Sequence, residues 1–297
     1  MPRPIPSLIL AGLLAPAPGG FEFSLLPRVR AAALGQAWAC AQGGDSLSQN
    51  PAGLAGSGAE AGLACTSWQE LTLWNAWGRV SLGALSLGAE LRGLAYGELA
   101  ASGIAAGTLA GDLGGRLGAA VRLGGAGRVA FELGLGVDVS AGQYADSRLS
   151  TLAVNAGGIL RLETAVSNHA LALGFAVRQL GAGLTQPSVA QAAPAEWRAG
   201  AAWAWRPAAF FQSELRLDVG GNWLEGREFE VASGIEVGLW RRVFLRGGYL
   251  WRSQGGALSG GAGLSLPLHS RELRLSYAAT SLDALGLQHW VGLSAAL

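Results

Sequence analysis

Val129-Ala130-Phe131-Glu132-Leu133-Gly134-Leu135-Gly136-Val137-Asp138-Val139 decides the fold. Every odd position carries a large apolar side chain, and every even one a small or charged residue. Successive side chains of a β-strand point to opposite faces, so this stretch has one greasy face and one polar face. The same alternation, punctuated by glycine, fills the chain from about Glu60 to Leu297. Two architectures carry such a pattern. A soluble sandwich turns the apolar face inward. An outer-membrane barrel turns it outward into lipid.

Bulk composition bears on that choice. Only 14% of the 297 residues are charged, where a soluble domain has about 25%. Glycine, at 47 residues, is roughly double its usual share, and all 21 basic residues are arginine. Mean hydropathy is high, at +0.31, yet no run of about 20 apolar residues reads as a spanning helix. A hydrophobic chain without such a helix satisfies its backbone in a bilayer only by closing a barrel. The net charge of +1 lacks the basic excess of a nucleic-acid binder.

Residues 1–20 read as a signal peptide, with Arg3 ahead of the apolar run Ser7 to Leu14 and the small-residue exit Ala15-Pro16-Ala17. That implies export and cleavage between Ala15 and Gly20. Cys40 and Cys65 are the only cysteines. They are read as unpaired, although an oxidising compartment leaves a bridge open.

Proline placement outlines the body. Seven of the eleven prolines lie at or before Pro51, and none occurs between Ala52 and Gln186. Proline cannot donate to a strand ladder, so the proline-free run reads as continuous sheet. Breaks in the alternation predict fourteen strands near 60–67, 70–78, 80–97, 104–123, 127–141, 148–164, 168–181, 195–206, 208–222, 227–240, 242–253, 256–267, 271–281 and 286–297. Connections after the fourth, sixth, eighth, tenth and twelfth strands are short. Those after the fifth, seventh, ninth and thirteenth are mostly longer, residues 182–194 longest of all. Short periplasmic turns facing long external loops are what a barrel shows. The expected fold is therefore all-β, a transmembrane antiparallel up-and-down barrel over 59–297 behind an N-terminal segment, 21–58.

In that barrel Glu132, Asp138, Arg161, Glu163, Arg178, Glu214, Arg216, Asp218, Arg246, Glu272 and Arg274 face the lumen, where opposite charges pair. Trp68, Trp77, Tyr96, Tyr144, Trp197, Trp205, Trp223, Trp240, Tyr249, Trp251 and Trp290 stand near strand ends, as interfacial girdles do.

Ahead of the first strand lie Arg30-Ala31-Ala32-Ala33-Leu34-Gly35-Gln36-Ala37 and Asp45-Ser46-Leu47-Ser48-Gln49-Asn50-Pro51-Ala52-Gly53-Leu54-Ala55. This opening resembles that of the PorV/PorQ outer-membrane proteins, a branch of the FadL-like barrels, with their A-R-A-x-x-x-G-G-A and D-x-x-A-x-x-x-N-P-A-G-L-A segments. Leu171 to Gly181, Gly234 to Val237 with Leu245 to Tyr249, and Leu285 to Ser294 resemble later strands of the same family. The chain departs from the pattern at Gly35-Gln36, where the family has a double glycine, at Gln179, where it has asparagine, and at its terminal leucine. The resemblance implies a non-enzymatic scaffold or shuttle for exported proteins, with secretion-system proteins or cargo as partners beside the outer-membrane lipid. Its alternative is a FadL-like transporter of hydrophobic ligands such as fatty acids, through the lumen or a lateral opening.

The structural motif singled out is Asn50, Pro51 and Gly53. Asn-Pro starts a turn and glycine permits close backbone approach. Residues 21–58 then either plug the barrel or form a periplasmic cap on its first strand. An enzyme is the weakest reading. Three histidines (His169, His269, His289) meet no serine nucleophile with an orienting partner, no metal-ligand spacing appears, and the glycine runs lack a phosphate loop's lysine. No cofactor is expected.

Overall fold

The computed structural model describes residues 28–68, 71–96, 111–124, 128–144, 147–163, 168–181, 195–208, 210–222, 229–252, 255–269, 271–281 and 286–297. Fourteen antiparallel strands close into one barrel. They are β1 (Ala59–Trp68), β2 (Leu71–Leu82), β3 (Leu85–Tyr96), β4 (Gly111–Leu123), β5 (Val129–Tyr144), β6 (Ser147–Glu163), β7 (His169–Leu180), β8 (Glu196–Ala208), β9 (Phe211–Asn222), β10 (Phe229–Leu239), β11 (Val243–Arg252), β12 (Gly255–Leu268), β13 (Arg271–Ser281) and β14 (Leu287–Ala296). Each pairs with its sequence neighbours, and β1 closes on β14 from Glu60 opposite Ala296 to Ser67 opposite His289. Closure leaves no open edge, which is what a bilayer demands of a sheet. Strands run from 10 residues in β1 to 17 in β6, enough to cross the hydrocarbon layer tilted.

Side-chain burial settles which face is wet. In β5 the odd positions are open, with Val129 at 53%, Leu135 at 62% and Val139 at 54%, whereas Glu132 is at 0% and Asp138 at 4%. The apolar face therefore points out and the charges point in. About forty large hydrophobic side chains stand exposed in this way, far beyond the patches of a few hundred Å² on soluble monomers. Their solvent is lipid.

The structure corrects several boundaries. The turn between β2 and β3 is Gly83-Ala84, with Gly83 at φ +70, rather than near residue 79. The alternation runs unbroken through Arg79, which points inward to Glu60 (Nε to Oε2, 3.0 Å). The connection after β5 is two residues long instead of extended, because Tyr144 pairs directly with Ser147. Trp77 and Trp290 do not join a girdle. Both are buried in the lumen, Trp290 packed with Val29 and Ala32. Trp205, Trp240 and Trp251 do lie exposed, as does Trp203, which was not among the expected girdle residues, and Tyr249 meets Trp251 edge-on at 4.6 Å. Pro207 sits where the β8–β9 register shifts between Trp205 and Ala208, a place where the ladder needs no donor. Cys40 and Cys65 are both free thiols. Residues 1–20, the first positions predicted for the fourth strand, the long connection at 182–194, Trp223, and the side chains of Trp68, Tyr96 and Tyr144 lie outside the described residues.

Candidate functional site

Residues 28–58 run inside the ring of strands. They carry a short helix α1 (Val29–Ala33) and two 3-10 turns, η1 (Gly44–Ser48) and η2 (Pro51–Leu54). The alanines of α1 have small side chains, so the helix packs flat on the wall. Ala31, Ala32 and Ala33 are all buried. Gly35 and Gln36 end the helix in left-handed backbone, φ +64 each, and Gln36 N–H returns to Ala31 O at 2.8 Å.

An irregular segment in an enclosed lumen must find partners for its backbone, and the wall supplies them. Arg178 donates to Ser48 O (2.9 Å), Arg198 to Gln36 O (3.0 Å) and Arg116 to Leu47 O (3.4 Å). Asp218 accepts Ala39 N–H at 2.6 Å, and Ser259 accepts Gly35 N–H at 2.9 Å while donating to Ala33 O. Two guanidiniums lie over the Trp38 ring, Arg178 at 4.4 Å and Arg198 at 4.9 Å from its centre.

The wall's charges are themselves paired. Arg116 grips Asp138 bidentately, Arg28 of the inner segment meets Glu90 (2.9 Å), Arg30 meets Glu236 (2.9 Å), and Arg246 reaches the same Glu236 (2.6 Å). Arg161 holds Glu132 at 2.8 Å. Burial works against charge on Arg30, but Glu236 and Glu214 more than offset it and raise its affinity for the proton above the ordinary value. The lumen-facing residues read from the sequence thus come together as pairs, apart from Asp218, which accepts Ala39 N–H instead, and Glu163, which stands exposed at the mouth. Unforeseen were Glu90, Arg92, Arg116, Glu196 and Arg198, all buried partners in the same lattice. Their inward parity was the available signal, weakened by neighbouring glycine and alanine that blur the alternation.

Asn50, Pro51 and Gly53 converge on one place. The Asn50 carboxamide accepts Ala52 N–H (3.1 Å) as an N-cap and donates to Ala39 O (2.6 Å) and to Phe175 O of the wall (3.4 Å). Pro51 opens η2, where its missing N–H costs nothing. A Cβ on Gly53 would stand 1.9 Å from Ala41 O. The wall yields in the same manner: a Cβ on Gly157 would lie 2.0 Å from Asn50 Oδ1, on Gly174 2.1 Å from Ala39 O, and on Gly134 2.3 Å from Ala52 N. Across the lumen, Gly234 and Gly248 admit Leu34 and Gly35 as closely. Much of the glycine excess is thereby explained. It lets wall and inner segment meet backbone to backbone.

Directly outside Gly157 and Gly174 lies an apolar groove of about 500 Å³, lined by Phe131, Leu133, Leu160, Leu173, Phe175 and Val177 and floored by Gly158. Here the wall is one backbone thick, with Asn50 behind it. Just beyond, the β6–β7 register shifts between Val154 and Ala156, and Asn155 Oδ1 accepts Gln179 N–H (3.0 Å). Gln179 takes up the extra residue at φ +59.

The chain spans nearly the full length of three solved structures. The Ralstonia pickettii toluene transporter TbuX superposes with a TM-score of 0.53 at 11% identity, covering 92% of this chain and 98% of that one. A Pseudomonas aeruginosa FadL homologue gives 0.55 at 8% identity, with 91% and 97% covered. The fold is that of the FadL-like outer-membrane barrels. The CymD monoaromatic hydrocarbon channel gives 0.57 at 11% identity, with 85% and 92% covered. No family model and no curated protein matches the chain. Ala59, Ala296 and the turns that follow the even-numbered strands all lie at one end of the barrel.

The histidines are scattered within this barrel. His169 stacks on Trp203 (5.5 Å), and His289 Nδ1 lies 2.8 Å from Tyr277 Oη on the outer face. His269 occupies a turn at φ +56. Among the described residues no three metal-ligating side chains cluster.

Proposed function

We propose that this protein moves hydrophobic small molecules across the outer membrane, entering or leaving sideways through the wall between β5 and β7. The observation carrying this reading is the apolar groove over Gly157, Gly158 and Gly174, where lipid and the Asn50 turn are separated by bare backbone. An apolar solute partitions into the bilayer by the same term that buries apolar surface in a core. A side entrance at membrane depth is therefore where it arrives. The FadL-like fold and the transporters that share it support the same reading. The protein acts as a non-enzymatic conduit, exported with its first 20 residues removed as a signal peptide.

Proteoliposome uptake tests the proposal. A monoaromatic hydrocarbon and a long-chain fatty acid are offered to vesicles holding the wild type or Gly158→Phe, which fills the groove from outside. Uptake above protein-free vesicles, cut at least tenfold by Gly158→Phe, is expected. Uptake equal to protein-free vesicles sinks the proposal.

A second reading, a secretion scaffold resembling PorV/PorQ, draws on the Asn50-Pro51-Ala52-Gly53-Leu54-Ala55 opening and on the lumen being occupied by residues 28–58. It predicts stable protein partners. Mild-detergent purification followed by mass spectrometry separates the two, because bound apolar ligand without stoichiometric protein counts against the scaffold.

A further inference from the structure

The periplasmic mouth holds a second cavity, polar where the groove is apolar, with a volume of about 250 Å³. Arg122 of β4, Arg128 ahead of β5, Arg161 of β6 and Arg206 of β8 line it, with Gln42 from the inner segment and Glu163 at its edge. Room exists because five alanines, Ala172 and Ala202 among them, occupy lining positions between the arginines.

Counting charge shows what is missing. Glu132 is shared by Arg161 (2.8 Å) and Arg122 (3.8 Å). Glu214, also in the lining, is already held by Arg216 (2.5 Å) and Arg30 (3.4 Å). Four guanidiniums thus face two carboxylates, Glu132 and Glu163, leaving two positive charges over. Arg128 and Arg206 are exposed and have no side-chain acceptor among the described residues. Guanidinium does not deprotonate in proteins, so the excess persists at any physiological pH.

We propose that this vestibule binds one phosphate group from the periplasmic side. A phosphate monoester carries about 1.5 to 2 negative charges at neutral pH and three strong acceptor oxygens, which matches the two surplus charges. Planar guanidinium forks bind such oxygens in pairs, and the alanines accept the carbons next to the ester. The phosphate is either free, as inorganic phosphate or a small ester, or the headgroup of a lipid in the periplasmic leaflet. The site stands apart from the transport groove and does not depend on it.

The test uses the full chain, folded in a phosphate-free non-ionic detergent and in nanodiscs with or without phosphatidic acid. Calorimetric titration with inorganic phosphate and with glycerol 3-phosphate reports the free source, and native mass spectrometry of protein released from nanodiscs reports the lipid. Saturable binding in the first arm, or retained phosphatidic acid in the second, is expected. Arg128→Gln with Arg206→Gln should weaken it at least tenfold while Arg252→Gln, at the opposite rim, leaves it unchanged. Barrel closure in each variant is checked by its heat-dependent gel mobility. No binding in either arm, or equal binding by the double variant, overturns the proposal.

Discussion

Gln36 holds a left-handed backbone at φ +64 where a side chain is unwelcome. The strain is tolerated because its carbonyl accepts from Arg198 and its N–H closes α1. Gln36→Gly keeps both bonds and removes the Cβ penalty, so unfolding in urea should shift toward greater stability by about 1 kcal/mol. An unchanged or lowered midpoint would refute the assignment of strain. Gly35 offers no such freedom, because a Cβ there would stand 2.5 Å from Tyr249 N. Asn50 is the opposite case, a side chain serving three backbone groups. Asn50→Ala loses the cap on Ala52 and both donations, and should cost about 1–2 kcal/mol. Hydrogen exchange would show faster exchange at Ala52 N–H, while β12 to β14 remain protected. The sequence marks Asn50-Pro51 as a turn. That this turn presses on Gly157 from inside was not legible, because the contact joins positions more than a hundred residues apart with no shared pattern.

At the scale of elements, the barrel wall and the inner segment interlock through charge and bare backbone. Cys40 lies in that contact, its thiol touching Ala172 O and Gly200 O at 3.5 Å. Burial, reinforced by Asp218, pushes its pKa from the ordinary 9.0 up to about 12. The sign follows from linkage. The folded value lies above the unfolded one, so the contribution of Cys40 is complete below about pH 9 and is lost as pH climbs toward 12. Tryptic cleavage after Arg28 and Arg30 should therefore rise between pH 9 and 11.5, and Cys40→Ala should flatten that rise. Cleavage independent of pH in the wild type would contradict this. β13 was placed to the residue by alternation alone, since Arg271 to Ser281 carries both charge and bulk. The β2–β3 turn was missed because Arg79 and Gly78 imitate a break while keeping inward and outward parity. Trp77 and Trp290 were misplaced for a related reason. Position near a strand end says nothing about face, and Gly44 and Gly62 open space in the lumen that the Trp77 ring fills.

For the whole molecule, the governing fact is that the greasy surface lies outside and the charged one inside, the reverse of a soluble protein. Composition and period foretold that inversion, because sparse charge and unbroken period-two patterning leave a chain of this length no soluble core to build. The cost of a misplaced charge should then depend on depth rather than on loss of packing. Leu135 lies mid-strand on β5, opposite Ala119 and Ala156, with its side chain open to the bilayer. Leu268 ends β12 beside the turn to β13 and is equally open. An arginine at the midplane of a barrel's lipid face costs about 2–4 kcal/mol, falling to about 0–1 near the interface. Reversible unfolding from lipid vesicles should therefore show Leu135→Arg destabilised by about 2–4 kcal/mol and Leu268→Arg by no more than about 1. Were this face instead covered by a protein partner, both substitutions would be nearly neutral in the isolated barrel and would act only on the complex. Equal and small effects at the two depths would place the apolar band against protein, and a graded response places it in lipid.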